Sequence, residues 1–366
     1  MARIAISLCG EGRGHATRVS SLVGRLEEHN EILVWASADA LAFLRQRFAG
    51  SPHRVRIEEV PGLIFEYTAG RLDLPRSIAA GIDFGARRLG PLVDRMLVEL
   101  EAFGADLAIV DMEPALPRAA ARLGLPVVSV DHQHFLVAYD LDVLPASLRW
   151  MARLMSYAVV MQVPEADDTI VSAFFRPPLR RGWEHVRQVG PLLRPEVTRC
   201  HPGDAGFLLS YLRRNTPFSA IESLADCGRP VKVYGLGQRD PVGRVSFHAI
   251  DDGRFVEDLA SCTALVAAAG NQLIGEALHL GKPLLVLPER GHAEQLMNSH
   301  FLRSMGCGDF CPLDEVTSGR IHGFLESLHA HRAPLAAVAG HMDGTADVLA
   351  VVERRLAAAA VTAAVG

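Results

Sequence analysis

Short apolar runs alternate along this chain with stretches of helical period. Ile4 to Leu8, Glu31 to Ser37, Arg54 to Val60, Leu107 to Val110 and Val127 to Val130 read as strands. Behind the first of them Val19, Leu22, Val23 and Leu26 fall on one helical face. A second series follows: Gly206 to Tyr211, Val231 to Tyr234, Val245 to Ile250, and a run from Leu265 that stops at Gly270. Phe255, Leu259 and Cys262 mark a helix before that last run, and Leu273, Ile274, Ala277 and Leu278 mark one after it. The next strand closes at Pro288, a helix opens at Glu294-Gln295, and Gly306 ends that helix as its C′ glycine. Met342 to Ala360 is an alanine-rich last helix. Strands alternating with helices predict an α/β protein built on parallel sheets.

Proline and glycine crowd between Phe174 and Gly182, and Gly190-Pro191 and Pro195 come soon after, which marks a crossover. The expected division is a first domain over 1–190, a second over 191–345 and a terminal helix over 346–366. A chain of 366 residues that is 49% hydrophobic can fill two cores. The net charge of −5 gives no electrostatic reason to bind nucleic acid. Six scattered cysteines form no framework, which suits a reducing, cytoplasmic home. Cys307 and Cys311 have no second pair at ligand spacing, so no metal site is expected there. The first apolar run is too short for a signal peptide and none reaches membrane-spanning length. A soluble protein is expected, with a visit to a membrane surface left open.

Two places carry candidate chemistry. The turn at Gly270-Asn271 aims a helix N-terminus outward, and backbone N–H groups with the positive end of the helix dipole favour an anion there, such as a diphosphate. Glu276, Glu294 and Gln295 would project beyond the carboxyl ends of neighbouring strands, where open α/β sheets bind ligands. Arg213 and Thr216, in the loop after Tyr211, could reach the same phosphates. The other place is the glycine-rich loop from Gly10 to Arg18. Its sixth position as a dinucleotide fingerprint is His15 instead of glycine, so nicotinamide binding is poorly supported. His15 could serve as a general base, or simply cap the loop or touch a phosphate. Asp111 ends a strand and could either orient that histidine or cap the next helix. His132 and His134 also end a strand; they are acceptor-side candidates, and His134 is a reserve base. The pairs Asp140/Asp142, Asp167-Asp168 and Asp251-Asp252 lack the surroundings of a metal site and read as chance.

Between Pro61 and Pro91, Phe65, Tyr67, Arg71, Arg76, Phe84, Arg87 and Arg88 are scattered among apolar residues. Their arginines read as a solvated helix face before an anionic-acceptor site. From Phe135 to Val160 the chain is apolar with Arg149, Trp150, Arg153 and several methionines. A core helix with a basic edge is the commoner outcome of such a pattern, and an amphipathic membrane-contact element the other.

Gly270-Asn271, Glu276-Ala277-Leu278, Gly281-Lys282-Pro283, Pro288, Glu294-Gln295 and Asn298 together resemble the donor segment of GT-B glycosyltransferases, in the branch similar to the peptidoglycan lipid II GlcNAc-transferase. The first loop is similar to that branch's glycine-rich, histidine-containing loop, and most to a bacterial and archaeal group with Gly-Glu-Gly-x-Gly-His-Ala-x-Arg. The resemblance implies two Rossmann-like domains facing across a cleft, with the last helix crossing back to the first. It implies a cytoplasmic, UDP-sugar-dependent hexosyltransferase with no cofactor, an N-acetylhexosamine donor sugar, and a sugar, lipid-linked or small-molecule acceptor, with peripheral contact at the inner membrane face. Carried over residue by residue, His15 is the base, Asp111 its orienter, and Gly14 part of the first loop's donor contact. Gly270 and Asn271 take the diphosphate, Glu276 the ribose, and Glu294 and Gln295 the sugar hydroxyls. His248 falls where the nucleobase sits. The donor turn reads Gly-Asn where Gly-Gly or Ser-Gly is commoner, and Glu294-Gln295 stands where relatives carry Asp-Gln or Gln-Gln, which leaves sugar identity open. The acidic pair of many retaining enzymes is missing, so inversion is expected. A nucleotide-sugar hydrolase or epimerase, or a non-catalytic nucleotide-sugar-binding subunit, is the alternative.

Overall fold

The computed structural model describes the whole chain except residues 11–12, 52, 63–66, 69–70, 73, 165, 215 and 366. Glu11, Gly12 and Phe65 thus lie outside the described residues, as do the side chains of Tyr67 and Arg71. The chain divides into two compact units: Met1–Leu141 with Trp150–Leu192 and Gly344–Gly366, and Asp142–Arg149 with Leu193–Asp343.

The strands of the first unit are β1 (Arg3–Leu8), β2 (Glu31–Ala36), β3 (Val55–Glu59), the two-residue pair β4 (Tyr67–Thr68) and β5 (Arg71–Leu72), β6 (Leu107–Asp111), β7 (Val127–Asp131), β8 (Asp168–Ser172) and β9 (Arg187–Val189). Seven of them form one sheet in the order β3-β2-β1-β6-β7-β8-β9, parallel throughout. Every residue of β6 and β7 is buried, as a sheet covered on both faces requires. Its helices are α1 (Arg13–Leu26), α2 (Ala38–Arg47), α3 (Leu74–Asp83), α4 (Leu89–Phe103), α5 (Ala115–Leu123), α6 (Phe135–Ala138) and most of α7 (Ala146–Gln162). A π-helical turn over Phe84–Arg88 joins α3 to α4.

The second unit carries β10 (Leu208–Tyr211), β11 (Val231–Tyr234), β12 (Val245–Phe247), β13 (Ala264–Ala267), β14 (Leu284–Val286) and β15 (Gly308–Phe310). They form a parallel sheet in the order β12-β11-β10-β13-β14-β15. Its helices are α8 (Pro195–Arg199), α9 (Phe218–Ala225), α10 (Asp252–Ser261), α11 (Asn271–His279), α12 (Ala293–Ser304), α13 (Ser318–Glu326) and α14 (Arg332–Val338). Gly306 takes φ +70° just past α12, a left-handed stop that a side chain would strain.

The last helix, α15 (Thr345–Val365), returns to the first unit. Val348, Val351 and Val352 join the core around Ile4, Ile6, Ile109 and Val128. Arg354 and Arg355 clamp it by reaching Asp168 at the start of β8, at 2.8 and 2.5 Å. Asp168 therefore has a structural partner, and Asp251 caps α10 by accepting from the N–H of Arg254 at 2.9 Å. Among the described residues no cluster of metal-ligating side chains occurs, and no helix is long and apolar enough to cross a membrane. None of the cysteines forms a disulfide.

Candidate active site

In the first unit the chemistry gathers at the carboxyl ends of β1, β6 and β7. The chain leaves β1 through Gly10, where a Cβ would collide with Ser37, and enters α1 within a few residues. Gly14 is exposed, and a Cβ there would meet no neighbour within 4 Å. Packing against the described residues therefore does not explain that glycine. His15 follows. Its Nδ1 lies 2.8 Å from Oδ1 of Asp111, the last residue of β6. Arg18, one turn along α1, donates from Nε to Asp111 Oδ2 at 2.9 Å and from Nη2 to Oδ1 at 2.8 Å. Burial works against charge on Asp111, but Arg18 and then His15 outweigh it, and the carboxyl sits below its ordinary range.

Two contacts bear on the imidazole's tautomer: Nδ1 faces Asp111 Oδ1 at 2.8 Å and the Arg18 guanidinium at 3.1 Å, and the shorter one runs to the acceptor. Asp111 can only accept, so His15 Nδ1 carries the proton and Nε2 keeps the lone pair. Gln133, in the turn after β7, brings its Nε2 to 3.4 Å from His15 Nε2, as suits a donor facing a lone pair. Asp111 does not cap the following helix. Met112 turns the chain with φ +57°, unusual for a side-chain-bearing residue, and Glu113 then takes the N–H groups of Ala115 and Leu116 at 2.9 Å each. Burial raises the Glu113 carboxyl's pKa.

The other two histidines have different surroundings. His134 Nδ1 meets Asp131 Oδ2 at 2.6 Å, and its N–H donates to Asp131 Oδ1 at 2.8 Å. Ser129 also donates to Asp131, at 2.7 Å. Burial opposes both charges, yet each partner stabilises the other: Asp131 falls to about 2 and His134 rises. His132 is buried against the rings of Phe135 and Phe175, at 4.8 and 5.7 Å between centroids. Between these two histidines, Gln133 is the residue whose amide reaches His15.

In the second unit the candidate residues lie beyond the carboxyl ends of its strands. Gly270 is the N-cap of α11, with φ −80° and no side-chain cap, and a Cβ on it would meet nothing within 4 Å. Asn298 fixes the approach to that turn by donating to the Ala269 carbonyl at 3.0 Å. Arg213 lies 3.3 Å from Glu289, and Thr216 donates back to the Arg213 carbonyl at 2.7 Å. Gln295 Oε1 accepts from the Glu289 N–H at 2.9 Å, while Glu294 beside it is half-buried. His248, the first residue past β12, stacks on Tyr234 at 5.2 Å and is bonded to Ser246 at 2.9 Å. Burial, then Arg254, lowers its pKa.

Glu276 has the most determined surroundings. It is buried, and Arg194 grips it in bidentate fashion, Nε to Oε1 at 2.9 Å and Nη2 to Oε2 at 2.6 Å. Gln272 adds a bond to Oε1 at 3.3 Å. Arg194 also stands 5.9 Å over the ring of Phe255, whose edges meet Tyr211 and Tyr234. The sequence pattern gives Arg18, Gln133 and Arg194 no role. Arg18 shares a helix face with His15 at i,i+3, a usable signal. Gln133 and Arg194 lie 118 and 82 residues from their partners, and only the fold joins them.

The family model for glycosyl transferase family 1 matches residues 2–329. A Methanosarcina mazei protein described as an uncharacterized glycosyltransferase is 25% identical over 334 residues, spanning 84% of each chain. Among solved structures, LpCGTa in complex with UDP aligns with a TM-score of 0.67 at 18% identity, over 98% of this chain and 99% of that one. The Arabidopsis thaliana protein UGT89C1 complexed with UDP-L-rhamnose gives 0.69 at 14%, over 97% and 99%. At such identities the structural likeness speaks for the fold alone. Together with the two parallel-sheet units and the family match over most of the chain, it identifies this protein as a member of glycosyl transferase family 1, a glycosyltransferase of the GT-B fold.

Proposed function

We propose that this enzyme moves a hexose, in our reading an N-acetylhexosamine, from a UDP-sugar to a hydroxyl of a sugar, lipid-linked or small-molecule acceptor, with inversion and without a metal ion. The observation that carries the reading is the His15–Asp111–Arg18 cluster. With Nδ1–H donated to Asp111, the Nε2 lone pair is the basic position, and it takes the acceptor's hydroxyl proton as the oxygen attacks the anomeric carbon. Asp111, anionic and fixed by Arg18, holds the ring in that tautomer and stabilises the imidazolium that forms. Gln133 orients the same nitrogen.

The second unit supplies the donor contacts in this reading. The uncapped first turn of α11 at Gly270 and Asn271, with Arg213 and Thr216, takes the diphosphate and stabilises its charge as it leaves. Glu276 takes the ribose. A carboxylate offers about four lone-pair sites; Arg194 and Gln272 occupy three, so Glu276 accepts one ribose hydroxyl while both stay in place. Glu294 and the Gln295 amide meet the sugar, and His248 borders the base. The UDP and UDP-L-rhamnose bound to similar folds support this class of donor.

The test incubates the protein with UDP-sugars and a panel of acceptors and follows UDP release and the anomeric configuration of the product. Inverted product in the presence of an acceptor is expected. UDP and free sugar formed equally without an acceptor would make the enzyme a hydrolase. His15→Ala should lower turnover by roughly 10²–10⁴ while UDP affinity stays within a few-fold. Equal loss of both would make His15 a binding residue.

A further inference from the structure

The helix α7 presents an apolar stripe that stays exposed among the described residues. Trp150, Leu154, Tyr157 and Met161 are exposed at 64%, 47%, 67% and 71%. At 3.6 residues per turn these four positions fall within about 60° of one another on the helix. Ala152 and Val159, on the opposite side, are buried. The helix is also fixed at its end, because Arg118 donates to the carbonyls of Met161 and Gln162 at 2.6 and 3.1 Å. A rigid, unpartnered apolar stripe of this length marks a docking face.

Its charge says what docks there. From Pro145 to Pro164 the sequence holds two arginines, Arg149 and Arg153, and no acid, in a chain whose net charge is −5. Both arginines are exposed and lie along one edge of the stripe. A second copy of this chain pairing about a two-fold axis would set one such basic edge against another with no carboxylate from the helix between them, which disfavours self-association. An anionic lipid surface meets the whole pattern. Tryptophan and tyrosine seat at the headgroup level, leucine and methionine enter the acyl boundary, and the arginines keep their charge among phosphates.

We propose that α7 is a lipid-docking helix that seats the first unit on an anionic membrane surface. This does not depend on the donor and base assignments above. The test mixes the full chain with vesicles of phosphatidylcholine alone or with added phosphatidylglycerol, and follows co-sedimentation and tryptophan emission. Binding to the anionic vesicles, a blue shift, and quenching by brominated lipid that disappears in Trp150→Phe are expected. Leu154→Ser with Tyr157→Ser should abolish binding without moving the thermal midpoint, because both side chains face solvent. Arg149→Gln and Arg153→Gln should each weaken binding roughly fivefold. Equal binding to both vesicles, binding indifferent to these substitutions, or no binding at all would overturn the proposal. So would a dimer in sedimentation that Leu154→Ser with Tyr157→Ser dissociates, since the stripe would then belong to a second copy.

Discussion

Arg18 shows how much of a candidate site can rest on one buried cation. Its guanidinium and the Asp111 carboxylate are both almost fully enclosed, with side chains 4% and 1% exposed. Neither charge is tolerable there alone. Removing one partner of a buried pair typically costs about 3–5 kcal/mol, because the other charge stays buried without compensation. Arg18→Met should therefore destabilise the fold by about that amount in urea unfolding near pH 7; a change below about 1 kcal/mol would mean that Asp111 is not held by Arg18. The pH dependence has a definite sign. Asp111's pKa is lowered in the folded state, so its contribution is present above the ordinary carboxylate range and fades as pH falls through the lowered value. Glu276 is the counterpart in the second unit, and its proposed ribose contact gives a separate test. Glu276→Ala should weaken UDP binding by roughly 1–3 kcal/mol, the usual worth of hydrogen bonds to a charged group. Calorimetric titration that finds unchanged affinity would remove Glu276 from the donor site and leave it as Arg194's structural partner.

The turn from β7 into α6 shows the same pairing at the scale of an element. Asp131 closes the strand, accepts the His134 N–H and holds its ring, so one carboxylate fixes both the end of β7 and the start of α6. The folded pKa of His134 is raised, so its stabilisation is complete below the ordinary imidazole range and is lost as pH rises through the raised value. That of Asp131 is lowered to about 2, so its stabilisation is complete above the ordinary carboxylate range and is lost as pH falls toward about 2. Both contributions are full only between roughly pH 4 and 6.5. Asp131→Asn should lower the thermal midpoint most near pH 5 and distinctly less near pH 9; a loss independent of pH would leave the ion pair without a role. Neither this pair nor Arg194–Glu276 is legible in the sequence. Strands β1, β2, β6 and β7 are, because each is a continuous apolar run in a sheet covered on both faces. Strands β8, β9 and β15 are not, because they open on Asp168-Thr169, Arg187-Gln188 and Gly308-Asp309, where pairing to a neighbour replaces the local pattern. Of the candidate site, His15 and Asp111 could be named from a motif and a strand end. Arg18 stood within the same motif without a role, and Gln133 and Arg194 act on partners that only the tertiary fold supplies.

At the scale of the whole molecule, two units with separate cores make a single unfolding free energy a poor description. They also make the donor assignment testable. The protein's three tryptophans, Trp35, Trp150 and Trp183, all belong to the first unit. Tryptophan emission therefore follows that unit alone, whereas calorimetry follows both. A ligand at a hundredfold its dissociation constant adds about 2.7 kcal/mol to whatever binds it. For a unit of this size that is a rise of about 5–10 °C. If the donor residues of the second unit hold the nucleotide, UDP should raise a calorimetric transition that tryptophan emission does not follow, and GDP, CDP and ADP should raise it less. A shift in the calorimetric transition that tryptophan emission follows, with the other transition unmoved, would move nucleotide binding to the first unit and its glycine loop. Equal shifts in both would mean that the units unfold together, and Glu276→Ala must then diminish both for the assignment to stand. If no nucleotide shifts either transition, the turn at Gly270 does not hold a diphosphate, and the donor has to be sought among activated sugars of another kind.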